Sequence, residues 1–274
     1  MRCSGGRPDS SSLAIRSPAA RAIRLHFTGF NAGAASVLVY TNDAQWGMVS
    51  RGPFAGKGPE SDGDFWTATV PGDTAYVEIV GDELPQVSIS DVFHWEVDPD
   101  SGECKGGQPG SCHLNAMCFP INPVVRDAVG TIRVVTACSG TVLNDLDDET
   151  VVPYFLTADH CGITSQSLVD MMEVVWFWQS NSCDDADLPA FFALPRSVGG
   201  TLIVTTGQSD ATFIRLHSVP AGVGLVGWTT ETSAGRVERL EPAGDLVLSE
   251  RHVRRSATQP VLAAAVSGAG AARE

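Results

Sequence analysis

The sequence predicts an all-β protein built as two units, and three observations predict it. Strand-length runs of apolar or alternating residues recur along most of the chain. Turn signals rich in Gly, Pro and Asp separate those runs at the spacing of antiparallel sandwiches. A stretch without periodicity, residues 98–111, divides them into an earlier and a later set. The 274 residues are 43% hydrophobic and 18% charged, which is ordinary for a folded protein with a real core. A formal net charge of −14 argues against nucleic acid as a partner, because phosphate binding needs a cationic face. No apolar run approaches the length needed to span a bilayer.

Residues 1–22 carry Arg2, Arg7, Arg16 and Arg21 without a continuous apolar core, so they do not match a secretory leader and are expected to be disordered. Residues 23–97 form the first organised unit, a small sandwich or jelly roll. Its expected strands lie at Ile23–Phe27, Ser36–Tyr40, Phe65–Val70, Ala75–Val80 and Val87–Phe93. Gly52-Pro53, Gly58–Gly63 and Pro71-Gly72-Asp73 read as the turns between them. His26 and His94 have no second ligand at metal spacing, so both read as structural or surface histidines. Trp66 and Trp95 read as packing residues rather than a sugar-stacking platform.

Residues 98–111 read as a linker, and Lys105 within it as a solvated lysine rather than a processing site. The second unit runs over residues 112–253, with strands expected through Val124-Val125, Gly130–Val135, Cys138–Leu143, Tyr154–Thr157 and Gly199–Thr206. Tyr154-Phe155-Leu156-Thr157-Ala158 is a buried-strand run that stops at Asp159-His160-Cys161-Gly162. Cys161 and Cys138 flank Val-rich strand, the acidic turn Asn144–Glu149 and strand again, which fits a hairpin clipped at its base by a disulfide. Seven cysteines with such spacing suit an oxidising compartment. Cys112, His113 and Cys118 lack the second ligand pair of a zinc site. No cofactor or metal is expected.

Cys138-Ser139-Gly140-Thr141-Val142-Leu143-Asn144, followed by Phe155-Leu156-Thr157-Ala158-Asp159-His160-Cys161-Gly162, resembles the trypsin-like serine endopeptidases. The resemblance is closest to the bacterial lysyl-endopeptidase branch. That branch similarly carries the pattern seen here as Val174-Val175-Trp176-Phe177-Trp178-Gln179-Ser180-Asn181-Ser182-Cys183, and a later Ser209-Asp210-Ala211-Thr212. It covers roughly residues 111–253 and implies the first of two β-barrels with part of the second. The earlier sandwich resembles the β-rich accessory or pro-region ahead of bacterial secreted peptidases. By the same resemblance Cys118 pairs with Cys183, while Cys112 would need a cysteine downstream of Cys183, and none follows. Cys112 is therefore expected to be unpaired, and Cys3 and Cys104 have no assigned partners.

In this chemistry a histidine takes the nucleophile's proton and a carboxylate holds the imidazole in one tautomer. The resemblance places His160 and Asp210 in those roles. Asp159 competes for the second role, but neighbouring side chains on an extended or turning backbone point apart. The family's nucleophile stands in a Gly-Asp-Ser-Gly loop, and that tetrapeptide does not occur in the sequence. Ser139-Gly140 stands at a structural position, and Ser267-Gly268 has no Gly-Asp before it. Arg239–Asp245 resembles the crossover into the second barrel, with Glu241 where a histidine is usual, and residues 254–274 are expected to be a disordered or aberrant tail. The chain therefore reads as a truncated, inactive serine-type endopeptidase. It is expected to be secreted and monomeric, and its substrates would be proteins or peptides if the domain were completed. The alternatives are a noncatalytic homologue acting as a binding module and a frame-shifted gene product.

Overall fold

The computed structural model describes residues 10–81, 85–96, 115–134, 137–145, 147, 149–183 and 188–228. It is all-β in its regular structure apart from short helical turns, and it divides into two compact units. One unit is drawn from residues 1–104 with Ala190–Ala193, the other from the rest of the chain. The linker residues 98–111, the tail 254–274, and Cys3, Cys104, Cys112, His113 and Arg239–Asp245 lie outside the described residues. No helix among the described residues is long and apolar enough to cross a membrane.

In chain order the first unit contains β1 (Ser10–Arg16), β2 (Ala22–Asn31), β3 (Ser36–Asp43), β4 (Gly47–Phe54), β5 (Phe65–Trp66), β6 (Val70–Pro71), β7 (Thr74–Val80) and β8 (Gln86–Trp95). One sheet has the order β1-β7-β3-β4; in the other β2 is central and pairs with β5, β6 and β8. Ile23, Leu25 and Phe27 of β2 and Val37 and Val39 of β3 are fully buried at every second position, which is why the alternation is legible there. Rings from both sheets meet in the core: Phe27 and Phe65 of one sheet lie 6.3 and 5.0 Å, centre to centre, from Phe54 of the other.

Three expectations for this unit are corrected. Residues 1–22 are not without structure throughout, because Ser10–Arg16 pairs antiparallel with β7 from Ser10↔Val80 to Arg16↔Thr74. This edge strand is mostly exposed, so the ladder rather than burial holds it, and it left little hydrophobic signal. Gly52-Pro53 is no turn but part of β4, the opposite edge of the same sheet, where a missing N–H costs no ladder bond. The expected strand Phe65–Val70 is also broken into β5 and β6. Between them Thr67 turns inward, its N–H donating to the Leu25 carbonyl and its Oγ1 accepting from the Leu25 N–H.

The second unit contains α1 (Pro123–Arg126), β9 (Val129–Arg133), β10 (Ala137–Leu143), β11 (Tyr154–Thr157), α2 (Gln166–Asp170), β12 (Glu173–Trp176), β13 (Arg196–Val198), β14 (Gly200–Thr206) and β15 (Ala211–Leu216). The strands form one antiparallel seven-stranded sheet, order β13-β12-β9-β10-β11-β15-β14, curved as a half-barrel. Val124-Val125, expected as strand, lie in α1. The Asn122 side chain caps that turn by accepting from the Val124 N–H, and Pro123 occupies its first position. The core gathers Ile132, Val142, Phe155, Ile163, Met172, Val174, Trp176 and Ile214. Gly140 lets Phe155 lie against β10: a Cβ there would collide with the Phe155 ring and stand 2.7 Å from the Leu156 carbonyl oxygen.

Two disulfides tie this unit. Cys118 is bonded to Cys183 and Cys138 to Cys161, with Cα atoms 4.4 and 5.9 Å apart. The second joins the start of β10 to the turn that follows β11. Past β15 the chain returns to β10, where Val226 bridges Leu143 in parallel and Trp228 Nε1 donates to the Asn144 carbonyl.

Candidate active site

Strand β11 delivers the histidine. Phe155 and Thr157 face inward, and Thr157 Oγ1 donates to the Ser139 carbonyl across the sheet. The chain then closes a 3-10 turn over Asp159–Cys161, ended by Gly162 at φ 79°, a left-handed cap that glycine adopts without strain. Cys161 is buried and bonded to Cys138, so the middle residue of the turn, His160, is held facing outward with more than half of its side chain exposed.

The carboxylate comes from the other side of the sheet edge. β14 and β15 form a hairpin whose turn ends at Asp210, immediately before β15, so Asp210 interrupts no strand. Its φ of 48° is left-handed, a conformation that Asp tolerates better than most side chains. Asp210 grips His160 twice: Oδ2 lies 2.7 Å from Nδ1, and Oδ1 accepts the His160 backbone N–H at 2.9 Å. These two bonds, the backbone one first, hold the Asp210 carboxyl below the usual carboxylate range. With a carboxylate as acceptor, Nδ1 carries the proton, which leaves Nε2 as the lone-pair nitrogen of the neutral ring. No group among the described residues hydrogen-bonds Nε2. One carboxylate orients the ring, and Nε2 lies on its open face.

The Asp159 carboxylate does not bond the His160 ring. Its carboxylate accepts from Thr205 Oγ1 at 2.6 Å, and Thr205 Oγ1 is in turn 2.7 Å from Thr212 Oγ1. The sequence assigns neither threonine a role: Thr205 looks like an ordinary β former, and Thr212 stands only as the last residue of the Ser209–Thr212 pattern. Only the register Thr205↔Thr212 sets them side by side.

Other candidate groups fall elsewhere. Among the described residues, the one cluster with three potential metal-ligating atoms is Cys138, His160 and Cys161, and its two sulfurs are bonded to each other rather than present as thiolates. His26 meets carboxylates that spacing in the chain could not place: Asp64 at Nε2 (2.8 Å) and Asp91 at Nδ1 (3.1 Å). They sit on opposite ring nitrogens and do not converge on one point. The ring also stacks on Trp66, centroids 4.6 Å apart, which accounts for that half-buried indole. His94 Nδ1 lies 2.8 Å from Ser17 Oγ, but no carboxylate among the described residues bonds its ring, so this pair lacks the orienting group that His160 has.

A model for the C-terminal domain of lysyl endopeptidase matches residues 106–261. A curated lysyl endopeptidase of Pseudomonas aeruginosa is 26% identical over 191 residues, covering 60% of this chain and 40% of that relative. The chain therefore spans less than half the length of the relative it matches. Every motif residue of the second unit, from Cys118 through Cys138, His160 and Trp176 to Asp210, falls inside the matched span.

Proposed function

The chain belongs to the lysyl endopeptidase family through the C-terminal domain that residues 106–261 match, and from that we propose that its second unit is the base-bearing half of a serine-type endopeptidase. His160 is the general base, and Asp210 holds its tautomer and stabilises the imidazolium that forms when a nucleophile gives up its proton. The observation that carries this reading is the double grip of one carboxylate on the ring and the backbone of His160. A merely structural Asp–His contact needs only one of those bonds. Both together fix the ring plane and leave Nε2 outward, where a hydroxyl must approach.

The substrates proposed are proteins and peptides. A preference for lysine belongs to the name of the relatives and comes here only with the family. The two disulfides favour an oxidising, extracellular setting. Residues 1–274 contain no Gly-Asp-Ser-Gly tetrapeptide, so within them no such loop supplies the base with a partner hydroxyl or the developing oxyanion with amides. Each missing donor is worth roughly 3 kcal/mol of transition-state stabilisation. As this polypeptide the unit positions a base without completing the chemistry.

The test has two arms. Proton NMR of the histidine-labelled chain should show a far-downfield Nδ1–H of His160 that disappears in Asp210→Asn; its absence from the unsubstituted chain would remove the oriented base. Incubation with a lysine ester and a fluorophosphonate probe should give background hydrolysis and no adduct. A serine labelled in the unsubstituted chain and not in His160→Ala would reveal a nucleophile and overturn the silent assignment.

A further inference from the structure

The turn that carries Asp210 is tied to the histidine turn by a second, independent link. Thr205, near the end of β14, donates to Asp159 Oδ1 at 2.6 Å. Asp159 lies directly before His160 in the same 3-10 turn. A hydroxyl has one proton and an ionised carboxylate donates none, so the proton of Thr205 is spent on Asp159. The 2.7 Å contact between Thr205 Oγ1 and Thr212 Oγ1 must then run from Thr212 to Thr205. The result is a directed chain, Thr212 to Thr205 to Asp159, ending on a charge. That is the arrangement in which short hydrogen bonds are strongest. Thr212 is fully buried in β15, two residues past Asp210, which roots the chain in the sheet. The other oxygen, Asp159 Oδ2, overhangs the turn itself, 3.3 Å from where a Cβ on Gly207 would stand.

We propose that Asp159 is a positioning residue for the His160–Asp210 pair, its carboxylate latching the β14–β15 hairpin to the histidine turn through Thr205. This deepens the assignment of His160 as an oriented base and rests on it. The turn Gly207–Asp210 is exposed, and Asp210 holds a left-handed backbone. Without the latch, that turn rests on the β14–β15 ladder at Thr206↔Ala211 and on the pair's own two bonds. With it, both ends of the turn are pinned, at Thr205 through Asp159 and at Thr212 through β15. The residue acts through another and touches no reacting atom.

The geometry separates this role from a simple charge effect. Asn at position 159 keeps an oxygen that accepts from Thr205 and removes the negative charge; Ala removes both. Val at position 205 keeps the shape of Thr205 and deletes the donor, while Ser keeps the donor.

The experiment reads the His160 Nδ1–H resonance and the hydrogen exchange of the His160 amide in the full chain, for the unsubstituted protein and for Asp159→Ala, Asp159→Asn, Thr205→Val, Thr205→Ser and Asp210→Asn. Asp159→Ala and Thr205→Val are expected to broaden or abolish the ring signal and to speed exchange of the His160 amide by about tenfold, as loss of one local tie does. Asp159→Asn and Thr205→Ser are expected to stay within about twofold of the unsubstituted chain. Protected amides of β9, β10 and β12 serve as the fold control, and if Asp159→Ala fails to fold, Thr205→Val carries the comparison. An unchanged signal and exchange rate in Asp159→Ala or Thr205→Val overturns the latch. Asp159→Asn behaving like Asp159→Ala overturns it too, in favour of bare charge. A ring signal missing from the unsubstituted chain, or surviving Asp210→Asn, is a different failure: it removes the oriented pair itself.

Discussion

At the scale of single residues, the candidate site depends on one carboxylate that hydrogen bonds keep ionised against the opposing effect of desolvation. Asp210 is half exposed, yet two donors from His160 hold its carboxyl low. A carboxyl whose folded value is depressed contributes stability that is present above its unfolded value of about 3.9 and is lost as pH falls through the lower folded value. Acidification from about pH 4 downwards should therefore release the Asp210 grip. Asp73, Asp91, Asp127 and Asp145 are held low in the same way. Global stability would thus fall over the same window and cannot report on one residue. The local measurement is the His160 Nδ1–H signal and amide exchange during an acid titration. Both are expected to be lost below pH 4 in the unsubstituted chain, while Asp210→Asn shows no change there; a signal that persists into the pH range where global unfolding begins would contradict the assignment.

At the scale of elements, β12 and β13 are joined by a charge pair inside the core. Glu173 is wholly buried, and Arg196 Nε lies 2.9 Å from its Oε1. Burial pushes the Arg196 guanidinium down from its ordinary value, and Glu173 opposes that shift. Breaking such a pair from one side leaves a buried charge uncompensated, which costs roughly 3–5 kcal/mol, whereas replacing both partners by apolar groups is often close to neutral. Glu173→Met should accordingly lower the second unit's stability by about that amount in urea titration, and adding Arg196→Met should recover part of it, with the buried Arg133 keeping its charge nearby. Equal losses in both would assign the cost to packing instead. Which elements were legible follows the same physics. β2, β3 and β7 stood out because alternate side chains are buried, and β8 because alternate ones are half-buried. β1 and β4 did not, because edge strands are held by ladder bonds that carry no hydrophobic pattern. Val124-Val125 misled because two valines suggest strand, while the Asn122 cap and Pro123 that wind α1 act through the backbone.

At the scale of the whole molecule, the described part of the first unit contains no cysteine, and both disulfides close loops in the second. Their sequence separations are 23 and 65 residues, for which a chain-entropy account gives about 3 and about 4 kcal/mol. Replacing Cys138 and Cys161 together by Ser should therefore accelerate amide exchange across β9, β10 and β11 by about two orders of magnitude, with β2 and β3 as internal reference. Unchanged protection in β10 and β11 would show that the clip adds nothing to the hairpin it closes.

By itself the sequence determined the class of fold and the residue types of the candidate site. The strand run into His160, the cysteines that flank its hairpin and an Asp210 next to an apolar run are local facts. So is the alternation that makes most of both units β. Tertiary structure decided what had to be brought together across the sheet. The reach of Asp210 to the ring and backbone of His160 depends on where β14 and β15 turn. The carboxylates on His26 come from residues far along the chain. The line of hydroxyls that ends on Asp159 exists only because register sets Thr205 beside Thr212. A side chain's type is written in one position, but its partner is set by the pairing of strands, and that pairing is a property of the folded sheet.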